Sequence, residues 1–159
     1  MPLKFLFVVS TTLCLFSCGS GLAKGPPAYL EKRESLASGL HYLLYLPPDY
    51  QSKTSQTWPM ILFLHGADER GFNVEMVRHA GGLPLQLSDG LVLPFIVALP
   101  QCPYRKTFSD PDMVEKTAKL VEELKSTVRV DPARITLTGF SLGGNGAWSL
   151  AVAKPGLFA

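Results

Sequence analysis

The sequence has little net charge, few cysteines and no long hydrophobic run, and each shortage narrows the possible functions. Its 15 lysines and arginines nearly balance 13 aspartates and glutamates, which leaves a net charge of +2. This balance gives no case for binding nucleic acid, which usually needs a clustered basic stripe. With 18% charged and 47% hydrophobic residues, the composition is that of a globular protein. A length of 159 residues predicts one domain around one core.

The longest apolar run, residues 5–16, is shorter than the ~20 residues that a membrane span requires. It follows a lysine and precedes small residues, which predicts a secretory signal peptide over residues 1–23. The stretch "LFSC" at 15–18 resembles a bacterial lipobox, and this interpretation predicts a lipid anchor at Cys18 instead. Both predict export, either secreted or to the periplasm and cell envelope. Residues 24–37 are then a linker and first strand.

Cysteines are too few to form a disulfide bond within the folded part of the protein. Two of the three, Cys14 and Cys18, lie in the leader, so Cys102 remains alone and no internal disulfide is expected. The simplest prediction for Cys102 is a buried small apolar residue. No Cys/His pair has metal-ligand spacing, and neither a metal nor a cofactor is expected.

Hydrophobic patterning predicts an α/β fold with a mostly parallel sheet and flanking helices. The expected strands are a hairpin followed by three buried runs: 29–36, 40–47, 59–66, 94–101 and 134–140. The expected helices are a weak one and two clear ones: 73–87, 109–128 and 142–154.

Helix 109–128 carries the strongest pattern. Asp110 is its expected N-cap, and its exposed face is expected to pair Asp112 with Lys116 and Glu115 with Lys119. One apolar stripe is expected to face the core: Val114, Ala118, Val121, Leu124 and Val128.

The residues at 139–143 read Gly-Phe-Ser-Leu-Gly, with a predicted strand before them and a helix after. This context is typical of a nucleophile elbow, in which a serine sits on a strained strand-to-helix turn and flanking glycines such as Gly139 and Gly143 avoid collisions. Ser141 is the predicted nucleophile. A phosphate-binding loop would need a lysine that is missing, and the dinucleotide pattern Gly-x-Gly-x-x-Gly fails.

A serine nucleophile also needs donors for the oxyanion that it creates. The N–H of Leu142, at the start of the helix, is one candidate. The loop "LHGADERG" at 64–71 offers a second, because Gly66 lets the N–H of Ala67 or Asp68 face the serine. His65 is expected to pack under this loop and order it.

Residues 38–159 resemble secreted or lipid-anchored bacterial esterases of the α/β-hydrolase superfamily, the phospholipase/carboxylesterase, polyhydroxybutyrate-depolymerase-like and feruloyl-esterase-like group. The resemblance rests on "YLLYLPPDY", "WPMILFLHGADERG", "FIVALPQCP", "VDPARITLTGFSLGGNGAW" and "KPGLFA". It implies hydrolysis of a small or polymeric ester through an acyl-enzyme on Ser141. Two departures matter. Asp68 replaces a small residue beside the oxyanion site, so it must point away or pair with Arg70. "YRKTF" replaces a tryptophan of the family.

No Asp, Glu or His follows Ser141, although this fold places its triad in the order Ser, Asp or Glu, His. Neither His41 nor His79 is an expected base. We therefore expect a chain truncated after the nucleophile helix and essentially inactive, with residues 134–140 as an open edge prone to self-association. Two alternatives stay open: a serine peptidase of the prolyl-oligopeptidase type, and a non-catalytic remnant of the hydrolase fold.

Overall fold

The computed structural model describes residues 29–159, so the predicted leader and Cys18 lie outside the described residues. These residues form five strands and three α-helices, with short 3-10 helices at Pro48–Tyr50 and Val74–His79. The strands are β1 (Leu30–Glu34), β2 (His41–Tyr45), β3 (Trp58–Leu64), β4 (Ile96–Pro100) and β5 (Val130–Gly139). The helices are α1 (Leu83–Ser88), α2 (Pro111–Thr127) and α3 (Leu142–Ala153). No helix within residues 29–159 has both the length and the apolar character needed to cross a membrane.

The five strands form one sheet in the order β1-β2-β4-β3-β5. The predicted hairpin is confirmed, since β1 and β2 pair antiparallel with Leu30 opposite Tyr45. Strand β2 then pairs antiparallel with β4, whereas β4, β3 and β5 run parallel. The carboxyl ends of the three parallel strands therefore meet at one edge of the sheet. Loops that leave this edge are the usual place for ligands in open α/β sheets.

The core is split by the sheet into two layers. Every residue of β4 is buried, as expected for a strand covered on both faces. Because side chains alternate along a strand, Ala98 faces the layer under α2 and α3, while Val97 and Leu99 face the layer under α1. The predicted stripe of α2 lies in the first layer, and all five of its residues are buried.

Polar contacts around α2 differ from the prediction. Asp112 bonds Lys106, 3.0 Å away, and Glu115 bonds Lys154, 2.7 Å away, so both expected acids pair with other parts of the chain. Asp110 is the N-cap residue of α2, as predicted, but its carboxylate accepts bonds from Thr107 and not from a helix N–H. These acids join α2 to its neighbouring loops.

The weak helix at 73–87 is interrupted, as its glycines predict: a 3-10 helix is followed by α1, and Gly82 at φ 83° lies between them. One element boundary differs from the prediction. Strand β5 begins at Val130, four residues earlier than expected, because a bulge accommodates Pro132 between two paired stretches. Proline is tolerated at such a position because it has no partner that needs its missing N–H.

Candidate active site

The turn between β5 and α3 holds its serine in an unusual conformation. Ser141 has φ 52° and ψ −116° and is exposed. Within residues 29–159, only Ser141 and Arg105 combine a side chain with positive φ, a strain of about 1–3 kcal/mol. The turn is fastened to β3, because the Phe140 N–H donates to the Leu64 carbonyl at 3.0 Å. Ser141 therefore lies where the carboxyl ends of β5 and β3 meet.

Glycines allow this turn to close tightly. A Cβ atom on Gly139 would lie 2.3 Å from the Gly143 carbonyl oxygen, and one on Gly143 would lie 2.0 Å from the Leu64 carbonyl oxygen. Both separations are well below van der Waals contact. Gly146 makes a similar approach, with its Cβ position 2.2 Å from the Cβ of Phe108. The first turns of α3 thus lie directly against β3 and against the loop after β4.

The loop after β3 is ordered from beneath by a buried histidine, as predicted. His65 is fully buried, and its Nε2 accepts the Cys102 N–H at 2.9 Å. Its Nδ1 therefore carries the proton and donates to the Gly66 carbonyl at 2.7 Å. The ring also packs edge-on against Phe108, with centroids 5.1 Å apart. Burial lowers the pKa of His65 to about 4, so the ring is neutral near pH 7.

Further bonds fasten the same loop to β4. The buried side chain of Gln101 donates through Nε2 to the carbonyls of Glu69 and Asn73, at 2.8 and 2.9 Å. The Gly71 N–H donates to the Cys102 carbonyl at 3.0 Å. Sequence reasoning did not identify Gln101; a polar residue directly after a fully apolar strand was the signal that could have found it.

Arg70 and Asp68 do not pair. The Nε of Arg70 donates to the Ala67 carbonyl at 2.9 Å, and its Nη1 donates to the Lys106 carbonyl at 3.4 Å. Asp68 is exposed and enters no salt bridge among the described residues. The pairing that would have neutralised Asp68 is therefore not formed, and its carboxylate stays in solvent.

The backbone N–H groups of the predicted oxyanion donors have no hydrogen-bond acceptor among the described residues. Across residues 29–159, the backbone N–H groups of Ala67, Asp68 and Leu142 donate no hydrogen bond. The Gly66 backbone lies against Phe140, since a Cβ at position 66 would be 3.4 Å from the Phe140 ring. The two predicted donor segments, 66–68 and 142, therefore follow the ends of the neighbouring strands β3 and β5.

None of the three histidines is placed to act as the base. His65 is buried with both ring nitrogens bonded. His41 begins β2, three strands away from β5 in the sheet order, which is about 14 Å at the usual strand spacing. His79 is exposed at the end of the second 3-10 helix. The described residues thus supply the strained turn and the candidate donors, and His65, whose backbone lies against Gly143, has no free ring nitrogen.

The described region also contains a groove that lies apart from Ser141. A groove of about 1000 Å³ runs between α2 and residues 153–157, and none of the predicted site residues lines it. Among residues 29–159, no group of three or more His, Cys, Asp or Glu side chains is arranged to hold a metal ion.

Comparison with known proteins identifies the fold. No protein-family model and no curated protein matches the chain. Among solved structures, a thermostable esterase is 25% identical with a TM-score of 0.65, over 84% of this chain and 39% of that one. A mutant feruloyl esterase module from Clostridium thermocellum, complexed with sinapinate, is 18% identical with a TM-score of 0.63, over 87% and 54%. Oligopeptidase B from Leishmania major is 15% identical with a TM-score of 0.57, over 83% and 19%.

The predicted α/β-hydrolase fold is confirmed by these similarities, with its mixed sheet and flanking helices. Esterases recur among the structural neighbours, and a peptidase shares the same fold. The chain spans less than two thirds of the length of each of these proteins.

Proposed function

We propose that Ser141 is the nucleophile of an esterase that hydrolyses carboxylic esters through an acyl-enzyme. The observation that carries this proposal is the strained backbone of Ser141 at the strand-to-helix turn. A strained residue persists only where its surroundings enforce it, and such residues cluster at active sites. The esterases among the structural neighbours favour an ester over a peptide substrate, either a small molecule or a polymer.

In the proposed reaction, the Ser141 hydroxyl attacks the ester carbonyl, its proton passes to solvent water, and an alkoxide develops on the carbonyl oxygen. The Leu142 N–H, at the N-terminus of α3, and the N–H of Ala67 or Asp68 stabilise that charge. The carbon–oxygen bond to the alkoxy group then breaks, that group takes a proton from water, and the alcohol leaves. A second water adds to the acyl-enzyme, which releases the acid and restores the Ser141 hydroxyl. Loss of one such donor typically lowers turnover by about 10²–10³-fold. We assign no cofactor and no metal to this reaction.

We further propose that the 159 residues alone turn over esters only weakly. No Asp, Glu or His follows Ser141, and both ring nitrogens of His65, which lies against the turn, are bonded elsewhere. Without a base the serine hydroxyl is a poor nucleophile, and removing the base of a triad typically costs about 10⁶-fold in turnover. Some catalysis by the donors alone remains in such enzymes.

The site is also proposed to work outside the cytoplasm, because the leader at residues 1–23 predicts export. Secretion and anchoring through Cys18 are separable by mass spectrometry of the mature chain. A diacylglyceryl-modified N-terminal cysteine supports the anchor, whereas cleavage near Ala23 supports secretion.

A fluorophosphonate probe tests the nucleophile directly. We expect slow, covalent labelling of the full chain that maps to Ser141 and disappears in Ser141→Ala. The matched control is Ser149→Ala, which removes a serine from the same helix and should leave labelling unchanged. Equal labelling of the wild type and Ser141→Ala would favour the non-catalytic remnant.

Turnover tests the missing base separately. Hydrolysis of a p-nitrophenyl ester by the full chain should stay close to the buffer rate. Robust turnover that Ser141→Ala abolishes would show that a base is present after all. A coding sequence that continues beyond codon 159 to an Asp and a His would support the complete hydrolase.

A further inference from the structure

We propose that Arg70 is a positioning residue that fixes the direction of the Asp68 N–H by holding the carbonyl on the other side of the same peptide. The inference rests on the proposed function only where it treats this N–H as an oxyanion donor. The orientation of the peptide itself is a property of the fold.

The argument begins with the geometry of one peptide. The Ala67–Asp68 bond is trans, as are all peptide bonds among the described residues. In a planar trans peptide the C=O and the N–H point in opposite directions. The Nε–H of Arg70 donates to the Ala67 carbonyl at 2.9 Å. The Asp68 N–H is therefore held pointing away from the guanidinium, and it donates no bond within residues 29–159.

The preceding peptide is held in the same way. The Nδ1–H of His65 donates to the Gly66 carbonyl at 2.7 Å, which directs the Ala67 N–H away from the imidazole. Two successive carbonyls are thus bonded by side chains from the same loop, while both N–H groups remain free.

Arginine suits this position because its guanidinium donates in two directions. While Nε holds the Ala67 carbonyl, Nη1 donates to the Lys106 carbonyl in the loop after β4. That second loop is fixed in turn, since Phe108 lies against Gly146 of α3. A lysine carries a single ammonium group and cannot reproduce this planar fork.

The peptide needs such a restraint because its neighbours do not supply one. Asp68 is exposed and forms no salt bridge within residues 29–159, and aspartate tolerates the left-handed backbone region better than most residues. A rotation of the 67–68 peptide, which exchanges its C=O and N–H, therefore meets little opposition from residue 68. Loss of the Arg70 bond would free the Ala67 carbonyl to turn towards the position that the N–H now occupies.

NMR of the ¹⁵N-labelled full chain tests the orientation without requiring catalysis. In Arg70→Met we expect the three-bond HN–Hα coupling of Asp68 to change and its amide to show microsecond-to-millisecond exchange broadening. Arg134→Met is the matched control, because Arg134 is exposed and its Nε bonds an aspartate side chain, not a carbonyl. It should leave the Asp68 signal unchanged. Arg70→Lys should change the Asp68 coupling and linewidth by an intermediate amount. If Arg70→Met does not fold, Arg70→Lys provides the test of the inference.

An unchanged Asp68 coupling and linewidth in folded Arg70→Met or Arg70→Lys would overturn the inference.

The rate of fluorophosphonate labelling at Ser141 then tests the effect of Arg70 on function. We expect the maximal labelling rate at Ser141 to fall about a hundredfold in Arg70→Met, as for loss of one donor, with unchanged half-saturation by the probe. Absence of labelling in the wild type would bear on Ser141 and its missing base and not on Arg70, because the Asp68 coupling still reports the peptide. An altered coupling with an unaltered labelling rate would refute the assigned effect of Arg70 on the oxyanion site.

Discussion

Mild acid should destabilise this protein before its carboxylates are protonated, because His65 is buried in its neutral form. Its pKa is lowered to about 4, chiefly because burial penalises the charged ring, and the bond to the Gly66 carbonyl offsets only part of that effect. In the unfolded chain a histidine titrates near pH 6.5. The unfolded state therefore binds more protons between these values, and the free energy of unfolding falls as the pH drops.

The size of the effect follows from the two pKa values. The stabilisation is fully present above pH 6.5 and is lost as the pH falls towards 4, for a total of about 3 kcal/mol. Between pH 7.5 and 5, the loss from this one histidine is about 2 kcal/mol. That is a large part of the roughly 5–15 kcal/mol by which domains are stable.

Urea unfolding at 25 °C across pH 7.5 to 5 measures this loss. His65→Gln should be less stable at pH 7.5, because it disturbs the bonds to Gly66 and Cys102, but it should lose about 2 kcal/mol less than the wild type on acidification. His79→Gln, which alters an exposed histidine, should keep the wild-type slope. Equal slopes for the wild type and His65→Gln would refute the reasoning. An NMR midpoint for the His65 ring near 6.5 would refute it without any variant.

Three further substitutions or reactions test the packing around the elbow. Gly143→Ala should destabilise the protein by about 3 kcal/mol in urea unfolding, because its Cβ would lie 2.0 Å from the Leu64 carbonyl oxygen; a neutral result would show that α3 lies further from β3. Ser141→Gly should raise the free energy of unfolding by about 1 kcal/mol, because glycine relieves the strain of the positive φ. Ser141→Ala should give no such increase. Equal stabilities of the two variants would show that the turn is unstrained. Cys102 is buried and its pKa is raised to about 12. Iodoacetamide should therefore alkylate it more than about a hundredfold faster in urea than in the folded chain. Equal alkylation rates would contradict the burial of Cys102.

Much of the fold could be predicted because its strongest signals are local. The uninterrupted apolar runs that became β3 and β4, and the 3.6-residue stripe of α2, each have one reasonable interpretation. The early start of β5 could not be predicted, because Pro132 reads as a turn unless the partner strand is known. The ion pairs of α2 were wrong because spacing within a helix says nothing about competing lysines, and Lys106 and Lys154 come from other elements.

The site divides in the same way. Gly139, Ser141 and Gly143 follow from a motif whose glycines are required by a close approach that the structure displays. The placement of Arg70 could not be predicted, because a sequence suggests a charge partner more readily than a backbone carbonyl. Of the two outcomes considered for Asp68, the pair with Arg70 rested on charge alone and did not form. Hydrogen bonds from side chains to main-chain oxygens depend on turns that a sequence does not specify.

The backbone of Gly143 packs so closely against the Leu64 carbonyl that a Cβ atom would not fit, which joins the turn at Ser141 to the sheet. The start of α3 cannot move closer to β3 without a collision, so the framework of the sheet holds the turn that carries Ser141. Heating should therefore give no separate early loss of the serine's environment. Reactivity at Ser141 and the near-ultraviolet signal of the core should disappear along the same melting curve.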